Sequence, residues 1–195
     1  VRRVKLPFAT QNEGKIKESK RVLSQYGIEV VPIALDISEP DAGSIEHVTR
    51  EKLRQVRGMG VDRAMVDDAG IFFAAYHQFP GVLSKRVFQG IGYRGVMKLL
   101  AGETRQAWFE GGIGLLWDGE EVFFSARTRG RLLESLPAGV TPDPGFPFDA
   151  LFVPEGEHRT LAEMLPAERE RFSYRVVALK ELAEWLRRRE GSGNS

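Results

Sequence analysis

Residues Val4–Ile33, VKLPFATQNEGKIKESKRVLSQYGIEVVPI, contain three segments of different character. Val4 to Ala9 is a short apolar run of the kind that forms a buried strand. From Asn12 to Tyr26 the apolar positions Ile16, Val22 and Leu23 fall near helical spacing, and Gly27 supplies a stop. Ile28 to Leu35 is rich in β-branched residues but interrupted by Pro32, which suits a strand at a sheet edge. Strand, helix, strand is the order, and a mixed α/β protein is the expectation.

The rest of the chain extends that pattern. Ser44 is placed to cap a helix from Ile45 to about Arg57. Ala64 to Val66 reads as a short strand ending in Asp67 and Asp68, and a helix is expected around Tyr93 to Leu100. Gln106–Trp117 and Glu121–Arg129 flank Asp118-Gly119, a strong hairpin signal. The segment LPAGVTPDPGFPFD reads as an irregular loop. Ser173 to Arg189 reads as an amphipathic helix with Leu179, Leu182, Ala183 and Leu186 on one face. One domain over residues 1–189 and a disordered tail over 190–195 are expected.

At 195 residues with 42% hydrophobic and 28% charged residues, the chain has the make-up of a globular protein with one sizeable core or at most two small lobes. A net charge of +1 argues against binding nucleic acid or an anionic membrane through bulk charge, so an anionic ligand needs a local cluster. The absence of cysteine removes disulfides, thiolate nucleophiles and Cys-ligated zinc. Carboxylates are left as the metal ligands, which favours Mg²⁺ or Mn²⁺. No stretch approaches the ~20 apolar residues of a membrane span, and VRRVKLPFAT lacks a signal-like apolar centre, so a cytoplasmic protein is expected.

Three polar clusters carry possible chemistry. The turn TQNEGK leads from strand to helix, where free backbone N–H groups and the positive helix end favour an anion. Thr10, Asn12 and Lys15 are either a phosphate grip or an ordinary cap with solvated neighbours. In VDDAG, Asp67 and Asp68 are either a cation site or a turn. In GFPFDALF, Phe146 and Phe148 beside Asp149 are either a base-stacking platform or loop packing.

Taken in order, these pieces resemble the inosine/xanthosine triphosphate pyrophosphatase family. Thr10, Asn12, Lys15 and Glu18 match its T-x-N-x-x-K-x-x-E pattern. VDDAGIFFAAYHQFPGVLSKR resembles its D-D-[ST]-G segment with the following P-G. GFPFDALFVPEGEHRTLAEMLPAERERFSYR resembles its G-F-G-[YW]-D-P-x-F, F-A-E-M and S-H-R segments. The resemblance implies an elongated mixed twisted sheet with flanking helices, two lobes around a central cleft, and a homodimer. It also implies Mg²⁺-dependent hydrolysis of aberrant purine nucleoside triphosphates to monophosphate and pyrophosphate. Carried over, Thr10, Asn12 and Lys15 would grip the triphosphate, with Lys85 as a further substrate lysine. Asp68 would bind metal and activate water, with Asp67 beside it and Glu39 as the loop ligand, for which Asp41 competes. Phe146, Phe148 and Asp149 would line the base pocket, and Arg175 would contact the base.

The substrate-facing motifs depart from the family at Tyr174 (for histidine), Arg169 (for lysine), Ala69 (for Ser/Thr) and Pro147-Phe148-Asp149-Ala150. The phosphate end is kept while the base end is altered, which implies the same reaction on these or on a different nucleotide. A non-catalytic nucleotide-binding protein is a second class, which retention of Lys15, Asp67 and Asp68 argues against.

Overall fold

The computed structural model describes residues 3–192. Its regular elements are β1 (Val4–Ala9), α1 (Glu13–Ser24), β2 (Ile28–Ile33), α2 (Ile45–Gly58), β3 (Arg63–Phe73), α3 (Ser84–Leu100), β4 (Gln106–Trp117), β5 (Glu120–Leu132), β6 (Phe152–Pro154), α4 (Pro166–Arg169) and α5 (Tyr174–Ser192). The strands form one mixed sheet in the order β2-β1-β3-β4-β5-β6. β1 runs parallel to β2 and to β3, while β5 and β6 pair antiparallel. Pro32 does sit in the edge strand β2, where a missing donor costs no ladder bond. None of the helices among the described residues is long and apolar enough to cross a membrane.

Local signals account for most boundaries. Asn12 caps α1 by accepting the Lys15 N–H, and Ser44 caps α2 by accepting the His47 N–H, both at 3.0 Å. Asp118 and Gly119 adopt φ of 50° and 86°, the positive values that a two-residue hairpin demands.

Four expectations need correction. β3 does not stop at the aspartates but continues to Phe73, because both carboxylates meet cations and the apolar run Ile71–Phe73 carries the strand onward. Its Gly70 lies so close to the neighbouring backbone that a Cβ would stand 2.1 Å from the Gly81 carbonyl oxygen. α3 begins nine residues before the short helix read from Tyr93, but Gly92 breaks it at φ 60°, ψ −168°, a conformation open to glycine. The end of the expected loop is not irregular: Pro147–Ala150 form a short 3₁₀ turn, and the strand β6 follows it. α5 runs to Ser192, so 190–192 of the expected tail are helical, and 193–195 lie outside the described residues.

The chain divides into two compact units. The first holds the residues up to Asp68, Gly111–Ala126 and those from Arg175 onward; the second holds Ala69–Glu110 and Arg127–Tyr174. In the first, Leu6, Phe8, Met65 and Leu115 pack with Leu23 of α1 and Leu179, Leu182 and Leu186 of α5. Ala64, Val66 and Leu116 pack instead with Leu53 and Val56 of α2. Alternate residues of β3 therefore point to α1 and α5 on one side and to α2 on the other. In the second unit, Ile71, Phe73, Ala107, Phe109 and Phe152 form a core with Val96 and Leu100 of α3.

Candidate active site

The alternation of β3 decides what happens to the two aspartates. Asp67 follows Met65 in register, towards α1 and α5, and Asp68 follows Val66, towards α2. Adjacent in sequence, they meet different partners. Lys15 Nζ donates to Asp67 Oδ1 at 3.0 Å, and Arg175 Nε donates to Asp67 Oδ2 at 3.2 Å. Arg175 Nη1 also donates to Glu18 at 3.2 Å, which gives that carboxylate its place in the cluster. Burial alone would push the Asp67 carboxyl up, but the charges of Lys15, Arg175 and Lys52 outweigh it and hold it at about 2.

Asp68 has the opposite balance. Burial raises its carboxyl to about 6, further helped by Glu39 and Asp67 and only partly offset by Lys52 and Lys15. Lys52 Nζ lies 3.7 Å from Asp68 Oδ1, beyond a hydrogen bond, and Asp68 Oδ2 is buried without a partner among the described residues. The same ammonium donates to the Asp67 carbonyl at 2.9 Å and pairs with Glu39 at 2.7 Å. Burial opposes its charge, but Asp68 and Glu39 more than compensate, so the Lys52 pKa is raised.

Lys52 is the residue that sequence reading missed. Its signal lay in α2, where Ile45, Val48, Thr49, Lys52, Leu53 and Val56 are all buried. That is one helical stripe, and a lysine within it asks what counter-charge it meets. In the acidic loop, the Glu39 carboxylate reaches Lys52.

The remaining sequence-derived residues are placed as follows. Thr10 Oγ1 accepts from the Asn12 N–H at 3.2 Å, so Thr10 and Asn12 order the turn before α1. Arg175, expected at the base, is 6% exposed and bound to Asp67 and Glu18 in the first unit. The expected sharing of a cation by Asp67 and Asp68 meets a strand that turns them to opposite sides, with both Asp67 oxygens already engaged. In the second unit, Phe148 is buried edge-on against Phe73 and Phe88 at 6.1 and 5.4 Å and packs the loop onto the core. Phe146 and Asp149 are half-buried in the same loop, which Tyr93 fastens by donating to the Pro147 carbonyl at 2.7 Å. Tyr174 is half-buried, its ring 5.8 Å from Phe109. Ala69 and Arg169 are half-buried, and Lys85 is exposed in the first turn of α3.

The two aspartates give opposite pH responses in chelator-treated protein. Asp67, depressed to about 2, contributes stability above the unfolded value near 3.8 that is lost as pH falls through 2. Asp68, raised to about 6, favours the folded state most below 3.8, and that contribution is lost as pH rises through 6. Lowering the pH from 7 to about 4.5 should therefore stabilise the wild type by about 2 kcal/mol relative to Asp68→Asn. Parallel urea titrations of the two proteins check this; a constant difference across that range would contradict it.

The Ham1 family model matches residues 6–185. The dITP/XTP pyrophosphatase of Thermococcus kodakarensis is 38% identical over 185 residues, covering 94% of this chain and 98% of that protein. The dITP/XTP pyrophosphatase of Methanopyrus kandleri is 39% identical over 186 residues, covering 94% and 97%. Among solved structures, a HAM1 protein from Coxiella burnetii matches with a TM-score of 0.75 at 25% identity, over 95% of this chain and 99% of that one. The nucleoside-triphosphatase / dITP/XTP pyrophosphatase from Mycobacterium abscessus matches with a TM-score of 0.69 at 30% identity, over 92% and 98%. Sequence and fold agree along nearly the whole length, and the chain belongs to the Ham1 family.

Proposed function

We propose that the protein is a nucleoside triphosphate pyrophosphatase. It hydrolyses purine nucleoside triphosphates with aberrant bases (ITP, dITP, XTP) at the α-phosphorus, giving the monophosphate and pyrophosphate. The observation that carries the reading is the separation of two neighbouring carboxylates, one locked ionised by two cations and one left with a buried, unpartnered oxygen. The dITP/XTP pyrophosphatases among its relatives support it. In this assignment Asp68 orients the attacking water and takes its proton. Lys15, fixed on Asp67 and 20% exposed, keeps donors for the phosphates, beside Thr10 and Asn12 at the start of α1. Lys52 holds Glu39 and Asp68 in place.

A divalent cation fits the donor set. Among the described residues no three acidic or histidine side chains gather as a metal cage. Mg²⁺ does not need one, because it is held by one or two carboxylates together with substrate phosphates and water. Asp68, through its unpartnered Oδ2, and the exposed Glu39 are the residues that would hold it. When bound, the ion neutralises charge across the phosphates and stabilises the leaving pyrophosphate. The resemblance in the motifs also leads us to assign a homodimer.

The experiment is pyrophosphate release over a panel of nucleotides, with Mg²⁺ and with chelator. ITP, dITP and XTP should be turned over in preference to ATP and GTP, giving equal amounts of monophosphate and pyrophosphate, with no rate in chelator. A clear preference for another nucleotide would favour an altered base end, the reading that Tyr174 in the histidine position supports. Binding without turnover of any nucleotide would sink the enzymatic reading.

A further inference from the structure

The break at Gly92, within the second unit, brings together side chains that a straight helix would hold apart. On a regular helix, residues five apart stand about 140° apart around the axis, too far for their rings to meet. Phe88 and Tyr93 flank the break, and their rings meet edge to face at 4.8 Å. Gly95 leaves room for the bend, since a Cβ there would stand 2.2 Å from the Ile91 Cβ. Both aromatic side chains then reach the same neighbour, the short turn Pro147–Ala150. Phe88 meets the Phe148 ring at 5.4 Å, and the Tyr93 hydroxyl donates to the Pro147 carbonyl at 2.7 Å. Burial raises the Tyr93 phenol pKa and the Asp149 charge raises it further, so the hydroxyl stays a donor.

The turn that is held in this way divides its side chains between two environments. Phe148 and Ala150 are buried in the core, while Phe146 and Asp149 are half-buried. The Asp149 N–H donates to the Phe146 carbonyl at 3.1 Å, and with three residues per turn the two are neighbours across it. A ring beside a carboxylate suits a purine, offering a flat face to stack on and an acceptor for donors on the base edge. We propose that Tyr93 is a positioning residue for the base, holding this turn so that Phe146 and Asp149 meet it. The hydroxyl acts on the peptide between Pro147 and Phe148, so its contribution is felt at the base and not at the phosphates.

The inference rests on the reaction proposed above, and one of its readouts does not need turnover. In Tyr93→Phe, hydrogen exchange at the Asp149 and Leu151 amides should quicken about tenfold, with the melting temperature kept. KM for the best nucleotide of the panel should rise about tenfold with kcat within about twofold. Inhibition by inorganic pyrophosphate, which has no base, should stay unchanged. Unaltered exchange would overturn the hold on the turn. Faster exchange with an unaltered KM, or an equal weakening of nucleotide and pyrophosphate, would overturn the role at the base. A wild type that turns over no nucleotide would remove the reaction and with it the base contact, while the exchange rates still decide the hold on the turn.

Discussion

Replacing Asp68 with asparagine should lower pyrophosphate release about a thousandfold or more while leaving the melting temperature at pH 7 unchanged or raised. An amide cannot take a proton from water, which accounts for the lost rate. The second half of the expectation is the more diagnostic. A buried carboxyl raised to about 6 is held ionised at neutral pH against its surroundings, and the neutral amide removes that cost. Lys52 loses an attraction at 3.7 Å but keeps Glu39 and the Asp67 carbonyl as acceptors. A wild-type rate in this variant would remove Asp68 from the mechanism. A large fall in melting temperature would mean that the charge has better partners than the structure gives it.

Asp67→Asn, one residue away, should behave in the opposite way and destabilise the fold by about 3 kcal/mol or more. Arg175 is 6% exposed and Lys15 is 20% exposed, and both direct donors at the two Asp67 oxygens. The amide offers one acceptor and no charge, so two largely buried cations lose their compensation, which is the costly way to break a buried pair. Glu18 offsets part of the loss at Arg175, since it already accepts from that guanidinium. Urea unfolding at pH 7 measures the difference, and an unchanged midpoint would show that Asp67 is dispensable to the fold. A drop in activity is expected too, because Lys15 is aimed by Asp67. Rescue of the fold without rescue of the rate, for example by stabilising osmolytes, separates the two effects.

What the sequence made legible followed from local chemistry. The strand–helix–strand start, the Asn12 and Ser44 positions, the Asp118-Gly119 hairpin and the apolar face of α5 depend on residues within one turn or one strand of each other. Lys15 and Asp68 stood out as the right chemical types in turns and strand positions that suit a nucleotide. The partners did not stand out. Arg175 lies 108 positions from Asp67, and no periodicity carries that distance, so its bond to Asp67 was not visible in the sequence. The extension of β3 escaped notice because two adjacent aspartates look like a strand end until their cations are known. Lys52 was hidden in plain view, a charge written into an apolar stripe.

The link from Lys15 through Asp67 to Arg175 has a consequence for how the protein comes into being. Lys15 and Asp67 are made well before Arg175, which lies in the first turn of α5. A chain emerging from the ribosome carries an Asp67 already able to meet Lys15, yet its second oxygen stays without its guanidinium until α5 has been made and has docked. Closing so long a loop is a late event in folding. The group that aims Lys15 is thus completed only when α5 has docked beside β3 and α1. A chain that stops short of α5 leaves the second Asp67 oxygen without its guanidinium, so the cluster is finished only with that helix.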